Sequence, residues 1–177
     1  INFLVHKDTI IEEHVIGIPG DVFIEEKLAD LTKEDRQRLS KEYVKFNERS
    51  TLRLLGDMRA YNYVIVPTYD FDRVQYRIRA MDFDQQSYEG NLKVYRPQFF
   101  KDNFPFVEMV QNSLQKESIE QYKNEERSIL AKRLRGSKER IEDLMKVMRQ
   151  DIISKPEYVD QLKNDLVVFT KDKNFKQ

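Results

Sequence analysis

Between Tyr63 and Ile78 the apolar residues change period, and that change constrains the fold more than any other feature of the chain. Tyr63-Val64-Ile65-Val66-Pro67 is a short run rich in β-branched residues. Thr68 to Arg73 reads as a turn. Val74, Tyr76 and Ile78 then alternate with Gln75, Arg77 and Arg79, the twofold period of a half-buried strand. Two such strands predict a β-hairpin. Helical periods lie on both sides of it, so the expected fold class is α+β, mainly helical, with a small β-hairpin set against a helical bundle.

Upstream, Thr9-Ile10-Ile11-Glu12-Glu13-His14-Val15-Ile16 reads as a strand that meets a turn at Gly17-Ile18-Pro19-Gly20. Thr32 is the expected cap of a helix with Glu34 and Asp35 in its first turn. Leu39, Tyr43 and Phe46 share one face of it, and Gly56 is the expected stop. Downstream, residues 85–103 read as irregular, with their aromatics (Tyr88, Tyr95, Phe99, Phe100) buried against the helices. Pro105 suits the first turn of a helix carrying Phe106, Val107, Val110 and Leu114. A polar helix over Ser118 to Leu134 follows, with Gly136 as its stop and Ser137 as the next cap. Ile141, Leu144, Met145, Met148 and Ile152 are expected on one face of that next helix. Ser154-Lys155-Pro156-Glu157 reads as a capping box before a helix with Tyr158, Leu162, Leu166 and Phe169 inward. From Lys171 the chain is expected to fray.

Thirty-one basic and 31 acidic side chains cancel, so net charge supplies no general attraction to nucleic acid or to an anionic membrane. With no cysteine, disulfides and thiolate metal sites are excluded and a reducing compartment fits. No apolar run approaches the roughly 18 residues of a membrane span. The opening residues lack a signal-peptide pattern, and the cytoplasm is the expected location. A first residue of Ile1 suggests a processed or trimmed product. His6 and His14 are the only histidines, and both are expected to be structural or surface residues. Neither a G-x-S-x-G turn nor a Walker-type or G-x-G-x-x-G phosphate loop is found.

What remains are oxygen-bearing side chains at element boundaries. Asp57 follows the fading helix, Asn62 precedes the first hairpin strand, and Asp82 ends the second. Antiparallel pairing brings Asn62 and Asp82 to the same end of the hairpin, and Asp57 lies in the loop that feeds it. Such a cluster suits magnesium, a hard cation that shares its sphere between protein oxygens, water and phosphates. Phosphoryl transfer asks little more of a protein than positioning, charge neutralisation and a carboxylate beside the attacking hydroxyl. Two loop caps and a strand-end acid would meet the same spacing.

Leu55-Gly56-Asp57-Met58-Arg59-Ala60-Tyr61-Asn62-Tyr63-Val64-Ile65 resembles the catalytic loop of the protein-kinase-like superfamily. Its Leu-Gly-Asp start is closest in look to the phosphoinositide-kinase-like and aminoglycoside-phosphotransferase-like branches. Arg79-Ala80-Met81-Asp82-Phe83-Asp84 resembles that family's metal-binding Asp-Phe-Gly segment, with Asp84 in the glycine position. Ile10 to Val15 and Ile18-Pro19-Gly20 resemble its hinge strand and turn. The resemblance implies a kinase-like C-terminal lobe whose hairpin bears the catalytic loop. It implies Asp57 as catalytic base, Asn62 and Asp82 as ligands of Mg2+, and ATP as the nucleotide. Backbone groups from Glu13 to Val15 would then meet adenine, with Val64 and Met81 beneath the base. Arg59 would contact a phosphate or stand solvated in the loop.

Gly56 stands where the family usually carries His or Arg before the aspartate, and two extra residues separate the hinge-like strand from its turn. The resemblance divides the chain into a hinge strand with a remnant of an N-terminal lobe (1–23), the C-terminal lobe (24–170) and a frayed tail (171–177). It also implies a missing N-terminal lobe that holds the glycine-rich loop and the ATP-anchoring lysine. Without that lobe, poor ATP binding and slow turnover are expected. The expected partners are a nucleotide and a phosphoryl acceptor. A catalytically inactive, pseudokinase-like interaction module is the competing expectation, with 85–103 as a docking segment. Lys132, Arg133, Arg135, Lys138 and Arg140 around Gly136 form a basic corner that suits either a polyanion or solvent.

Overall fold

The structure is a computed structural model that describes residues 3–83, 85–90, 92–150 and 154–173. Asp84, Ile152 and residues 174–177 lie outside the described residues, and with them the expected glycine-position aspartate, the last member of the Ile141 stripe and most of the expected frayed tail. Among the described residues, two small antiparallel sheets and six helices make an α+β, mainly helical fold.

The chain opens on a hairpin of β1 (Phe3–His6) and β2 (Thr9–Glu12), with Lys7 in the left-handed region at φ 57° in its two-residue turn. The strand expected to run to Ile16 is observed over Thr9–Glu12, with Glu12 opposite Phe3. Beyond it, Ile18–Pro19 is more than a turn. It forms β3, which pairs with Ile65 and Val64 of β4 (Tyr63–Asp70). Gly20 then opens α1 (Gly20–Glu26), a helix that no cap or long apolar period announces. Helix α2 (Lys33–Leu52) starts as expected, the Thr32 hydroxyl accepting the Asp35 N–H at 3.1 Å. It ends earlier than expected: Arg53 caps it, and Leu54, at φ 56°, takes the left-handed turn assigned above to Gly56.

The hairpin is longer than its apolar residues suggest. Strand β4 continues to Asp70 and β5 covers Arg73–Ala80, paired from Tyr63–Ala80 out to Asp70–Arg73. The turn is only Phe71-Asp72, with Phe71 at φ 49°. The polar residues at its tip read as a loop because a solvated end of a two-stranded ribbon needs no apolar side chains. After three short 3-10 turns come α3 (Phe104–Ser113), α4 (Lys116–Gly136), α5 (Lys138–Gln150) and α6 (Pro156–Asp172). Helix α4 extends two residues past each expected end and includes Gly136. Ser137 caps α5 through its carbonyl, which accepts the Ile141 N–H at 3.0 Å. The expected capping box at Ser154 is not formed. Lys155 occupies the cap position without a side-chain bond, and the Ser154 hydroxyl instead accepts the Tyr88 N–H at 2.9 Å. Leu144 is exposed rather than inward: Met145 and Met148 with Ile141 make the buried stripe, and Leu144 falls off its edge. Helix α6 carries through Lys171 to Asp172.

Two apolar clusters result. The first joins α1, α2, the β4–β5 hairpin and α3, where Phe106 stacks on Tyr43 at 5.2 Å and Phe46 meets Tyr63 edge-on at 5.1 Å. The second joins α4, α5, α6 and residues 85–95, where Tyr88 and Tyr95 are buried as expected; Phe99 is exposed. Helix α2 packs against α3, α4 and β5, and so lies between the sheet and the helical half. Its Glu42, only 7% exposed, accepts the Ile78 N–H at 2.9 Å and pairs with buried Arg49.

Removing one partner of a buried ion pair leaves an uncompensated charge. Glu42→Ala is therefore expected to lower stability by about 3–5 kcal/mol in urea unfolding, whereas a surface change such as Glu139→Ala is expected to cost under about 0.5 kcal/mol. A second expectation follows from the tyrosines. Burial raises the Tyr43 phenol far above its ordinary value, and burial, then the nearby Tyr43, Asp21 and Asp102, raise Tyr63. Above the unfolded-state value of about 10, the folded chain holds protons that the unfolded chain releases. Stability is thus full below about pH 10 and falls as pH rises beyond it. The urea midpoint should drop above that pH, and Tyr43→Phe should make the drop shallower.

Candidate functional site

The loop after α2 returns to the hairpin through two tight turns. The Arg59 N–H donates to the Asp57 carbonyl and the Asn62 N–H to the Arg59 carbonyl, each at 2.9 Å. Ala60–Asn62 forms one 3-10 turn, after which Tyr63 enters β4. At the far side the Met81 N–H donates to the Asn62 carbonyl at 2.9 Å, one step beyond the Tyr63–Ala80 pair. Asn62 and Asp82 therefore sit at the same end of the hairpin, as the antiparallel pairing predicts.

Asp57 joins them from the loop. Asn62 Nδ2 donates to the Asp57 carbonyl at 2.6 Å and approaches Asp57 Oδ2 at 3.4 Å. With both contacts made by the nitrogen, Asn62 Oδ1 accepts no hydrogen bond among the described residues. Asn62 is 8% exposed, so its amide is held in a fixed orientation by a buried contact. Asp57 and Asp82 line one narrow crevice, together with Leu55, Met58 and Phe83, that as it stands leaves no room for a water-sized sphere. Among the described residues no group of three or more His, Cys, Asp or Glu is placed to hold a metal ion. The oxygen cluster here is two carboxylates and one amide.

Arg59 has a larger part than the sequence suggests. Its Nε donates to Asp57 Oδ1 at 3.0 Å, its Nη1 to Asp102 Oδ2 at 3.2 Å, and its guanidinium lies 5.5 Å from the Phe100 ring centre. The hydrogen bond to Asp102 first, then Tyr61 and Asp57, raise its pKa above the usual arginine value. Arg59 is thus a partly solvated loop residue, as expected, whose guanidinium also orients the Asp57 carboxylate. Asn103 was missed altogether. It is fully buried, accepts the Tyr63 hydroxyl at 2.6 Å and donates to the Met58 and Pro97 carbonyls at 2.8 Å each. Its partners lie six to 45 residues away, so no local pattern could have pointed to it.

The other expected site residues fall as follows. Val64 is 3% exposed and faces away from the first core cluster, on the side of β4 opposite Tyr63 and Ile65. Gly17 covers it, so closely that a Cβ there would lie 3.0 Å from Val64 Cβ. Met81 is half-buried beside Asn62, Val15 is half-buried, and Glu13 is exposed in the irregular stretch between β2 and β3. His6 and His14 are both exposed. No helix among the described residues is long and apolar enough to cross a membrane. Searches against protein-family models, curated proteins and solved structures find no match to this chain.

Gly56 is required here for space. A Cβ on it would stand 2.7 Å from the Gln85 carbonyl oxygen, so the two walls of the Asp57–Asp82 cleft touch through a glycine. Gly56→Ala is expected to cost about 1–3 kcal/mol, as overpacking does, and to speed proteolysis near Gln85. Gly136→Ala, whose Cβ meets nothing within 4 Å, is the matched control. It should be neutral, or stabilising by up to about 1 kcal/mol.

Proposed function

We propose that this chain is a kinase-like catalytic lobe that transfers phosphoryl groups from ATP with magnesium. Asp57 is the base, and Asn62 and Asp82 are the metal ligands. The Met81 N–H bond to the Asn62 carbonyl at 2.9 Å carries the reading, because it keeps Asn62 and Asp82 at one end of the hairpin while Asn62 Nδ2 ties Asp57 to them. The donor set suits magnesium: carboxylate and amide oxygens are hard ligands, and the Asn62 nitrogen is engaged while its Oδ1 accepts no bond. When bound, magnesium would neutralise charge on the phosphate oxygens.

The chain's own residues would do the rest. Asp57 would take the proton of the acceptor hydroxyl, in an orientation set by Arg59 Nε at 3.0 Å. Half-buried Met81 would offer adenine an apolar surface, with Val64 packed behind Gly17 rather than open to the base, and the backbone at Glu13 and Val15 would meet its edge. A reducing cytoplasm, which the absence of cysteine suits, would supply both nucleotide and magnesium.

One observation favours a second reading, an inactive interaction module. Leu4, Val5, Ile10 and Ile11 are 56–63% exposed on the β1–β2 ribbon, an apolar surface that a partner could cover. Calorimetric titration of the chain with a non-hydrolysable ATP analogue, with and without magnesium, separates the two. The catalytic reading expects magnesium-dependent binding that Asp82→Asn abolishes. It expects Asp57→Asn to keep binding and to lower phosphoryl transfer by about 10²–10⁴-fold. Absence of magnesium-dependent binding, or an unaltered Asp82→Asn variant, sinks it and leaves the module.

A further inference from the structure

A second polar cavity lies between α2, β5 and α4, and its polar lining is arginine. Arg49 and Arg53 stand one helical turn apart at the end of α2. Arg77 and Arg79 are two apart on β5 and so share a face. Arg133 comes from α4. They surround a space of about 270 Å³ whose apolar walls include Phe46, Leu55 and Leu130. Lysine is the commoner base in this chain, 17 against 14 arginines, yet none lines the cavity. Arginine's planar fork of donors matches phosphate oxygens in a way that the point charge of lysine does not.

The charges in this cluster do not balance. Glu42 pairs with Arg49 and lies 3.7 Å from Arg77, and Glu126 lies 3.6 Å from Arg49. No carboxylate among the described residues reaches Arg53, Arg79 or Arg133. At the centre, Arg49 is only 6% exposed, and its Nη1 is buried without a hydrogen bond, since Glu126 is too distant to accept one. Partial burial, then the charges of Arg49 and Arg133, lower the Arg53 pKa below its usual value. Like charges gathered from three elements on an apolar floor oppose folding unless an anion answers them.

We propose that this cavity is a binding site for a small polyphosphate anion, of the size and charge of a diphosphate, held without a metal ion. Arg49 is the buried anchor, and the exposed Arg53, Arg77, Arg79 and Arg133 close on the outer oxygens. The site is separate from the Asp57–Asp82 cleft, although Leu55 lines both. It does not depend on the catalytic reading. A compact concave pocket of this volume takes a small anion and offers no extended track for a nucleic-acid backbone.

The test is calorimetric titration of the chain with inorganic pyrophosphate in EDTA, with ionic strength held constant by sodium chloride. EDTA removes any metal-dependent contribution from the Asp57–Asp82 cleft. Saturable binding near one equivalent is expected, at least tenfold tighter than orthophosphate. Arg53→Gln and Arg133→Gln, both exposed and outside the buried ion pairs, should each weaken it tenfold or more without altering the melting temperature in the absence of ligand. Asp82→Asn should bind as the parent does. No saturable heat, parental affinity in both arginine variants, or loss of binding in Asp82→Asn would each overturn the proposal.

Discussion

The carboxylate of Glu42 is the contact on which the arrangement of the fold depends. In the β3–β4–β5 sheet, β5 is an edge, and an edge strand presents unpaired backbone donors. Glu42, projecting from α2, accepts one of them, the Ile78 N–H. The same carboxylate pairs with Arg49 two turns further along α2, and Arg49 leans towards Glu126 on α4. A second pair, Arg127 Nε to Glu48 at 2.7 Å, repeats the α2–α4 connection. The sheet, the central helix and the helical half are thus joined through buried charge. Buried pairs are weak evidence for stability, because desolvation offsets their attraction. Their geometric demand is strict, however, and here it specifies which face of α2 meets β5 and which meets α4.

A similar logic fixes the loop that holds Asp57. Apolar packing anchors residues 57–62 at Met58 and Ala60, but it does not by itself fix where the backbone between them points. Asn103 removes that freedom by donating to the Met58 carbonyl while accepting from Tyr63. Asp102, its neighbour, fixes the outer side through Arg59. The oxygen cluster is therefore positioned from behind by residues 97–103, a stretch with no regular element longer than one turn. Irregular backbone serves this purpose because its carbonyls are not consumed in a ladder and remain available to side chains.

Much of this was legible in the sequence where a single local rule decides. Alternation at Val74, Tyr76 and Ile78 announced the hairpin, Thr32 announced α2, and antiparallel pairing placed Asn62 beside Asp82 before any coordinates. Three misreadings share a cause: in each, a distant partner overrode the local signal. Ser154 looks like a helix cap, but its hydroxyl is taken by Tyr88, 66 residues earlier. Gly56 looks like a helix stop, but it is a glycine because Gln85 lies against it. Ile18-Pro19 looks like a turn until β4 pairs with it. Neither Asn103 nor the gathering of Arg49, Arg77 and Arg133 has any local signature, because their members meet only when α2, β5 and α4 close.

That closure also explains how a chain with no net charge carries two strongly polarised centres. Charge totals average over the surface, whereas a field inside a concave site is set by the few groups that line it and by its low-dielectric walls. Strand β5 and the end of α2 carry guanidiniums, and the segments that follow them carry the carboxylates. Arg79 lies three residues before Asp82, and Arg53 four residues before Asp57. Leu55 stands between the two as a shared wall. Asp57 is answered within its own centre by Arg59 Nε at 3.0 Å, whereas no carboxylate among the described residues reaches Arg53, Arg79 or Arg133 in the cavity. The separation of the two centres is a product of packing: Leu55, 2% exposed, lies between Arg53 and Asp57 in the chain and presents an apolar wall to each centre.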